Sequence, residues 1–285
     1  MAEIQVKDLT YVYSKGSPYE MKALDRVNIT FRDNTVTGLI GHTGSGKSTL
    51  VQMLNGLLRP DEGKILLDGR DIWEDPKKIS EVRFKVGLVM QYPEYQLFDE
   101  TVRDDIAFGP KNMGMKGEEL QAAVEDAAHF AGLKPKHLDK SPFDLSGGQK
   151  RRAALAGVIA MKPQVLVLDE PAAGLDPGAR RRILDRIREY QRESGISVII
   201  VSHSMEDMAV YCDRVVVLSH GGVVCEGTPA EVFSQADKLF EVGLDVPEVT
   251  KVARELRNFG VDIGLDIYTV KFAAGRLLGE EGASK

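Results

Sequence analysis

Gly41-His42-Thr43-Gly44-Ser45-Gly46-Lys47-Ser48-Thr49 is the stretch on which the reading of this chain turns. It fits the pattern G-x-x-x-x-G-K-[ST], and its surroundings are those that give the pattern meaning. The apolar run 36–40 before it predicts a strand. Leu50, Met53, Leu54 and Leu57 after it recur at helical spacing. Glycines here let the backbone fold so that its N–H groups point inward around phosphate oxygens, and the following helix adds its positive N-terminal end. In that geometry Lys47 reaches the β- and γ-phosphates of a nucleotide and the Ser48 hydroxyl ligates Mg²⁺. A serine-capped glycine turn is the plain alternative, and the flanking strand and helix argue against it.

Kinases, GTPases, helicases and transporter motors all carry such a loop. Val165-Leu166-Val167-Leu168-Asp169-Glu170 narrows the field. Its apolar residues predict a central strand that presents Asp169 at its carboxyl end, where it can hold Mg²⁺. Glu170, one residue on, can accept a proton from an attacking water. Leu145-Ser146-Gly147-Gly148-Gln149 opens another helical run. It reads as a second anion-binding helix start, with a serine cap and bare glycine amides.

Further β-branched runs at 86–90, 198–201 and 215–218 alternate with helical patterns, among them Leu120, Val124, Ala127, Ala131 and Ile183, Ile187, Tyr190. Strand alternating with helix predicts a three-layer α/β fold with ligands at the carboxyl ends of the strands. Residues 95–160 carry helical signals and no strand, so they read as an inserted helical subdomain. After about residue 228 the pattern changes. Pro247 opens an amphipathic helix with Val249, Val252, Ala253, Leu256 and Phe259 on one face.

The composition, 43% hydrophobic and 28% charged over 285 residues, is that of an ordinary globular chain. The apolar runs fall far short of the ~20 residues that span a bilayer. The opening MAEIQVKDL has no secretory pattern. Cys212 and Cys225 lack metal-ligand spacing and are expected to be reduced thiols. A net charge of −6 argues against nucleic acid as the main partner.

LSGGQ lying between a phosphate loop and a strand ending in Asp-Glu resembles the ABC-type ATPases, over residues 1 to about 227. The resemblance implies a RecA-like P-loop NTPase core with N-terminal antiparallel β elements, a small C-terminal appendage at 228–285, and ATP with Mg²⁺ as cofactors. It implies a head-to-tail dimer in which Ser146, Gly147, Gly148 and Gln149 of one subunit close over nucleotide held by residues 41–49 of the other. It gives Lys47, Glu170 and His203 catalytic roles, His203 as the switch histidine touching the γ-phosphate. Ser48, Asp169 and Gln91, the Q-loop glutamine, fall at the metal. Asp176 is the D-loop aspartate, though many members carry Ser-Ala before the preceding leucine. Tyr13 falls where an aromatic stacks on adenine, with Tyr11 as competitor.

A finer resemblance rests on Gln91-Tyr92-Pro93-Glu94-Tyr95-Gln96-Leu97-Phe98, on 105–110 (DIAFGP), on the GHTGSGKST loop and on the tail GLDVPEVTKVARELRNFG. These look like the ATPase subunits of energy-coupling factor (ECF) transporters, in particular the second of their two paralogues. The resemblance implies a peripheral protein on the cytoplasmic face of the cell membrane. It pairs with a second ATPase (a paralogue or itself) and serves an importer of vitamins or metal ions. Residues 91–100 are expected to border a groove for helices of a transmembrane scaffold, whose arginines would meet Glu94, Asp99 or Glu100. A substrate-specific membrane subunit is contacted indirectly. The rival is an ABC importer motor served by a solute-binding protein. Chromosome-structuring relatives interrupt these motifs with a long coiled coil, and ribosome-acting ones join two cassettes. Neither pattern occurs here.

Overall fold

Residues 2–261 and 263–278 are described by the structure, a computed structural model. Strands β1 (Ile4–Tyr13) and β2 (Met21–Phe31) pair antiparallel, and β3 (Val36–Ile40) follows with every residue buried. The loop after β3 leads into α1 (Lys47–Leu54). This helix ends early because Gly56 turns the chain at φ 70° and the Asn55 side-chain amide donates to the Val86 carbonyl. Leu57, expected on the helix's apolar face, lies past its end and is 45% exposed.

Strands β4 (Glu62–Leu67) and β5 (Arg70–Asp71) complete an antiparallel sheet of order β2-β1-β4-β5. Next come α2 (Ile79–Lys85) and β6 (Val86–Val89). A helical layer follows, made of α3 (Val102–Asn112), α4 (Gly117–Phe130) and α5 (Gly147–Ile159), with no strand between them. The chain returns through β7 (Val165–Asp169), α6 (Pro177–Ser194), β8 (Ser197–Val201), α7 (Met205–Tyr211), β9 (Arg214–Ser219) and β10 (Gly222–Gly227). The second sheet has order β10-β9-β3-β8-β7-β6, parallel except where β10 joins β9. This is the three-layer α/β P-loop architecture expected from the sequence.

The unbroken apolar run of β7 has a direct cause. Leu166 and Leu168 pack into the core shared with the helical layer and α6, whereas Val165 and Val167 pack into the core under α1 and the antiparallel sheet. A strand buried on both faces has no polar side to show. Each such fully buried side chain contributes about 1.5–3 kcal/mol relative to exposure.

Beyond β10, α8 (Pro229–Phe233) and α9 (Ala236–Glu241) seat Phe233 and Leu239 in the main core. Helices α10 (Glu248–Asn258) and α11 (Val270–Leu278) share a small cluster of Ala253, Ile263, Ile267 and Ala273. The stripe read along α10 is only partly covered. Ala253 is buried and Val249 and Leu256 half-buried, but Val252 is 55% and Phe259 82% exposed. Segment 263–273 reaches only one edge of that stripe.

Candidate nucleotide site

Sheet order brings together what the chain keeps apart. β8 lies between β3 and β7, and β6 lies beyond β7. The loops leaving β3, β8, β7 and β6 therefore open side by side on a cleft of about 410 Å³, lined among others by Thr43, Gly44, Gly46, Lys47, Ser48, Thr49, Gln91, Asp169, Glu170 and His203.

The phosphate loop is held from within. The Lys47 ammonium donates to the Gly41 carbonyl at 2.6 Å and the His42 carbonyl at 3.0 Å, folding back over the loop. Burial lowers the Lys47 pKa, while Glu170 and Asp169 pull it back up. His42 bonds the Thr43 carbonyl at 2.8 Å and the Ser219 hydroxyl at 3.2 Å, pinning the loop to the end of β9. Ser45 is fully buried. Gly46 sits at φ 102°, where a Cβ would lie 2.5 Å from the Ala23 carbonyl oxygen, so conformation and space both require glycine. The Tyr13 hydroxyl lies 3.2 Å from Thr49 Oγ1, and Tyr11 meets the Tyr13 ring edge-on and packs into the core below. Of the two tyrosines, Tyr13 is the one bonded to α1.

Two carboxyls stand opposite the loop. Burial raises the Asp169 pKa, against the pull of the Lys47 ammonium and the Ser48 hydroxyl. Glu170, held at φ 53°, donates its backbone N–H to the Val201 carbonyl at 3.0 Å. Its side chain is largely buried, and the fully buried Oε1 has no hydrogen-bond partner among the described residues. Burial, then the charge of Asp169, pushes its carboxyl up to about 7. His203 Nε2 lies 3.5 Å from that oxygen, and burial and Lys47 lower the imidazole's pKa. At neutral pH the contact is thus a partly protonated carboxyl beside a neutral imidazole.

Residues 146–149 are elsewhere, and none of them lines the cleft. Ser146 starts α5, and its backbone N–H donates to Gln149 Oε1 at 2.9 Å. The Gln149 side chain is therefore spent on the helix start. Ser146 and Gly147 are exposed, and a Cβ added at Gly147 or Gly148 would meet nothing within 4 Å. Nothing among the described residues asks for glycine at either position. Asp176 caps α6, accepting from the amides of Gly178 at 3.0 Å and Ala179 at 2.9 Å, which hold its carboxyl below its ordinary value.

In the 91–100 segment, Pro93–Gln96 forms a 3₁₀ turn that begins after Tyr92 at φ 55°. Tyr92, Tyr95 and Phe98 are exposed, while Leu97 packs under against the core. Leu97 and Phe98 border a groove of about 340 Å³ together with Leu57, Phe84, Phe108 and Met161. Glu94, expected to be free for a partner's arginine, is taken by Arg151 of α5, whose Nη2 lies 3.1 Å from Oε1. The same guanidinium donates to the Ala173 carbonyl, and Arg151 is only 5% exposed. A buried arginine must be paired, and Glu94 is its pair. Arg151 thus ties the 91–100 turn, α5 (the signature helix, opened by Leu145-Ser146-Gly147-Gly148-Gln149) and the loop after Glu170 together. Sequence reading missed it, although its signal is there: Arg151 shares the i, i+4, i+8 stripe of Leu155 and Ile159.

A phosphate loop facing strand-end carboxyls on a parallel sheet is the arrangement of a P-loop nucleoside triphosphatase. A sequence model described as "ABC transporter" matches residues 24–173. The energy-coupling factor transporter ATP-binding protein EcfA2 of Clostridium acetobutylicum is 52% identical, with 96% of each chain aligned. The same-named protein of Caldanaerobacter subterraneus subsp. tengcongensis is 48% identical at the same coverage. Among solved structures, cbiO1 from Clostridium perfringens, described as part of the ABC transporter complex cbiONQ, aligns with TM-score 0.75 and 38% identity over 89% of this chain and 98% of its own. The dimeric ATP-binding cassette MJ0796 bound to ADP and Pi aligns with TM-score 0.72 and 26% identity over 79% and 98%. The chain belongs to the ABC transporter family, among the ATP-binding subunits of energy-coupling factor transporters.

Proposed function

We propose that this ATPase works as one half of a head-to-tail pair that drives an energy-coupling factor importer of vitamins or transition-metal ions from the cytoplasmic face of the membrane. The observation that carries the reading is the separation just described. The cleft holds Lys47, Asp169, Glu170 and His203, yet the signature residues lie outside it and carry glycines with open space in front of them. A lid that the chain cannot use on itself suits a second chain.

In the cycle we propose, the amides of 41–49 and the Lys47 ammonium hold the β- and γ-phosphates while Tyr13 faces adenine. Ser146 and Gly148 of the partner subunit close over the γ-phosphate. Glu170 takes the proton of the attacking water, and His203 contacts the transferring phosphoryl. Ser48 and Asp169, with Gln91, form a sparse oxygen set that suits Mg²⁺, an ion that keeps waters and phosphate oxygens in its shell. When bound, the ion would offset charge on the phosphate oxygens. Asp176 sits beside the pair interface through its cap of α6, and the segment after residue 228, which packs Phe233 and Leu239 into the main core before α10 and α11, helps hold the pair.

The groove beside Leu97 and Phe98 takes helices of a transmembrane scaffold, with Asp99 and Glu100 as the acids left for its arginines. Glu94 and Arg151 pass movement between that groove and the signature helix. Pull-down of the chain in mild detergent tests the reading. It should retain a second ATPase, a transmembrane scaffold and a small substrate-specific membrane subunit; retention of a solute-binding protein instead would overturn it.

A further inference from the structure

A second cavity, of about 210 Å³, lies behind the signature helix, between the first turns of α5 and the flank of α6. Four arginines line it, Arg151 and Arg152 from α5 and Arg182 and Arg186 from α6, and no carboxylate does. Two of these are committed. Arg151 is bound to Glu94 and the Ala173 carbonyl, and Arg186 donates to the Phe130 carbonyl at 2.7 Å. The other two form no ion pair among the described residues. Arg152 Nε is buried with no acceptor, and the positive charges of Arg186 and Arg182 add to burial in lowering the Arg152 pKa. The acid that senses Arg182, Asp176, has its carboxylate engaged by the Gly178 and Ala179 amides. Like charges therefore face each other across the boundary between the helical layer and the core, offset in part by the charge of Asp176 near Arg182.

We propose that this pocket binds a small phosphate-class oxyanion, bridging Arg152 of α5 to Arg182 and Arg186 of α6. Guanidinium forks match the paired oxygens of phosphate; Arg152 and Arg186 are half-buried, which strengthens their attraction, and the exposed Arg182 closes the site from the solvent side. The volume suits inorganic phosphate with a few waters and excludes a folded acidic segment. Its Leu155 and Ile183 walls close the sides. Because Gly148 and Leu175 also line the pocket, the anion fixes the signature helix relative to the loop that precedes Asp176. It is a site distinct from the nucleotide cleft.

The experiment is thermal melting of the full chain, saturated with ADP to occupy the nucleotide cleft, against sodium phosphate at constant ionic strength set with sodium chloride. The midpoint of the wild-type chain should rise saturably, by roughly 3–6 °C at about ten times the half-saturating concentration. The Arg152→Gln/Arg182→Gln chain should lose that rise. A flat wild-type response, or an equal rise in both chains, overturns the proposal. Arg182→Glu supplies the missing acid internally. It should melt above the wild type in phosphate-free buffer and respond no further to phosphate; a lower midpoint contradicts the site.

Discussion

The phosphate cleft and the signature helix start are both built on a helix N-terminus, yet they are finished to different degrees. Around Lys47 the chain supplies its own partners: loop carbonyls, a histidine clamp, and carboxyls delivered by the end of β7, two strands away. Around Gly147 and Gly148 no atom of the described residues approaches within 4 Å of an added Cβ, and the Ser146 and Gln149 side chains serve the start of their own helix. One region is completed by the fold; the other, on the proposed pairing, is completed by a second chain. Substitutions should therefore act differently in the two places.

Glu170→Gln gives the largest effect, a loss of about 10²–10⁴-fold in turnover with ATP binding retained, measured by steady-state hydrolysis and nucleotide titration. Gly148→Ala should lower turnover by about 10²-fold, as blocking a phosphate-facing lid does. In the lone chain it should leave the melting midpoint unchanged or slightly raised, since the added methyl meets nothing and alanine favours helix. Gly46→Ala reverses that pattern. It destabilises the lone chain by about 1–3 kcal/mol in denaturant unfolding, because φ 102° and the Ala23 carbonyl both oppose it. If the two glycines behave alike, the contrast between the regions is wrong.

Acidity probes the cleft alone. A base whose carboxyl lies near 7 is protonated below it, so kcat/KM for ATP should fall about tenfold per pH unit below 7, and Glu170→Gln should flatten that limb. Stability runs the other way. The native carboxyl binds its proton more tightly than the unfolded one at 4.5, so this group's contribution is full below 4.5 and is lost as pH rises through about 7. The smallest effect is expected at Glu94→Gln. It leaves the cleft untouched but loosens the tie to Arg151, so transport per ATP hydrolysed should fall in membrane vesicles more than hydrolysis does.

How much was legible beforehand follows from the same physics. Strands β3, β7 and β8 are buried on both faces, so their apolar runs stand out and the turn residues after them mark where ligands gather. Those are short-range signals, and the α/β architecture follows from them. The positions at 91, 169, 170 and 203 come to one cleft because of strand order, which local pattern does not encode. Arg151–Glu94 spans 57 residues and Asn55–Val86 spans 31, and no periodicity announces such pairs. The stripe on α10 was legible as a helix face, but amphipathicity shows that a face needs covering and not what covers it, and Val252 and Phe259 remain exposed among the described residues.

The central claim is that one molecule holds the phosphate but not the lid. Hydrolysis per chain, followed by phosphate release while the protein is diluted from micromolar to a concentration at which sedimentation shows only monomer, tests it most directly. The rate per chain should collapse on dilution, or be absent until a second ATPase subunit is added. A rate per chain that stays constant down to the pure monomer would contradict it.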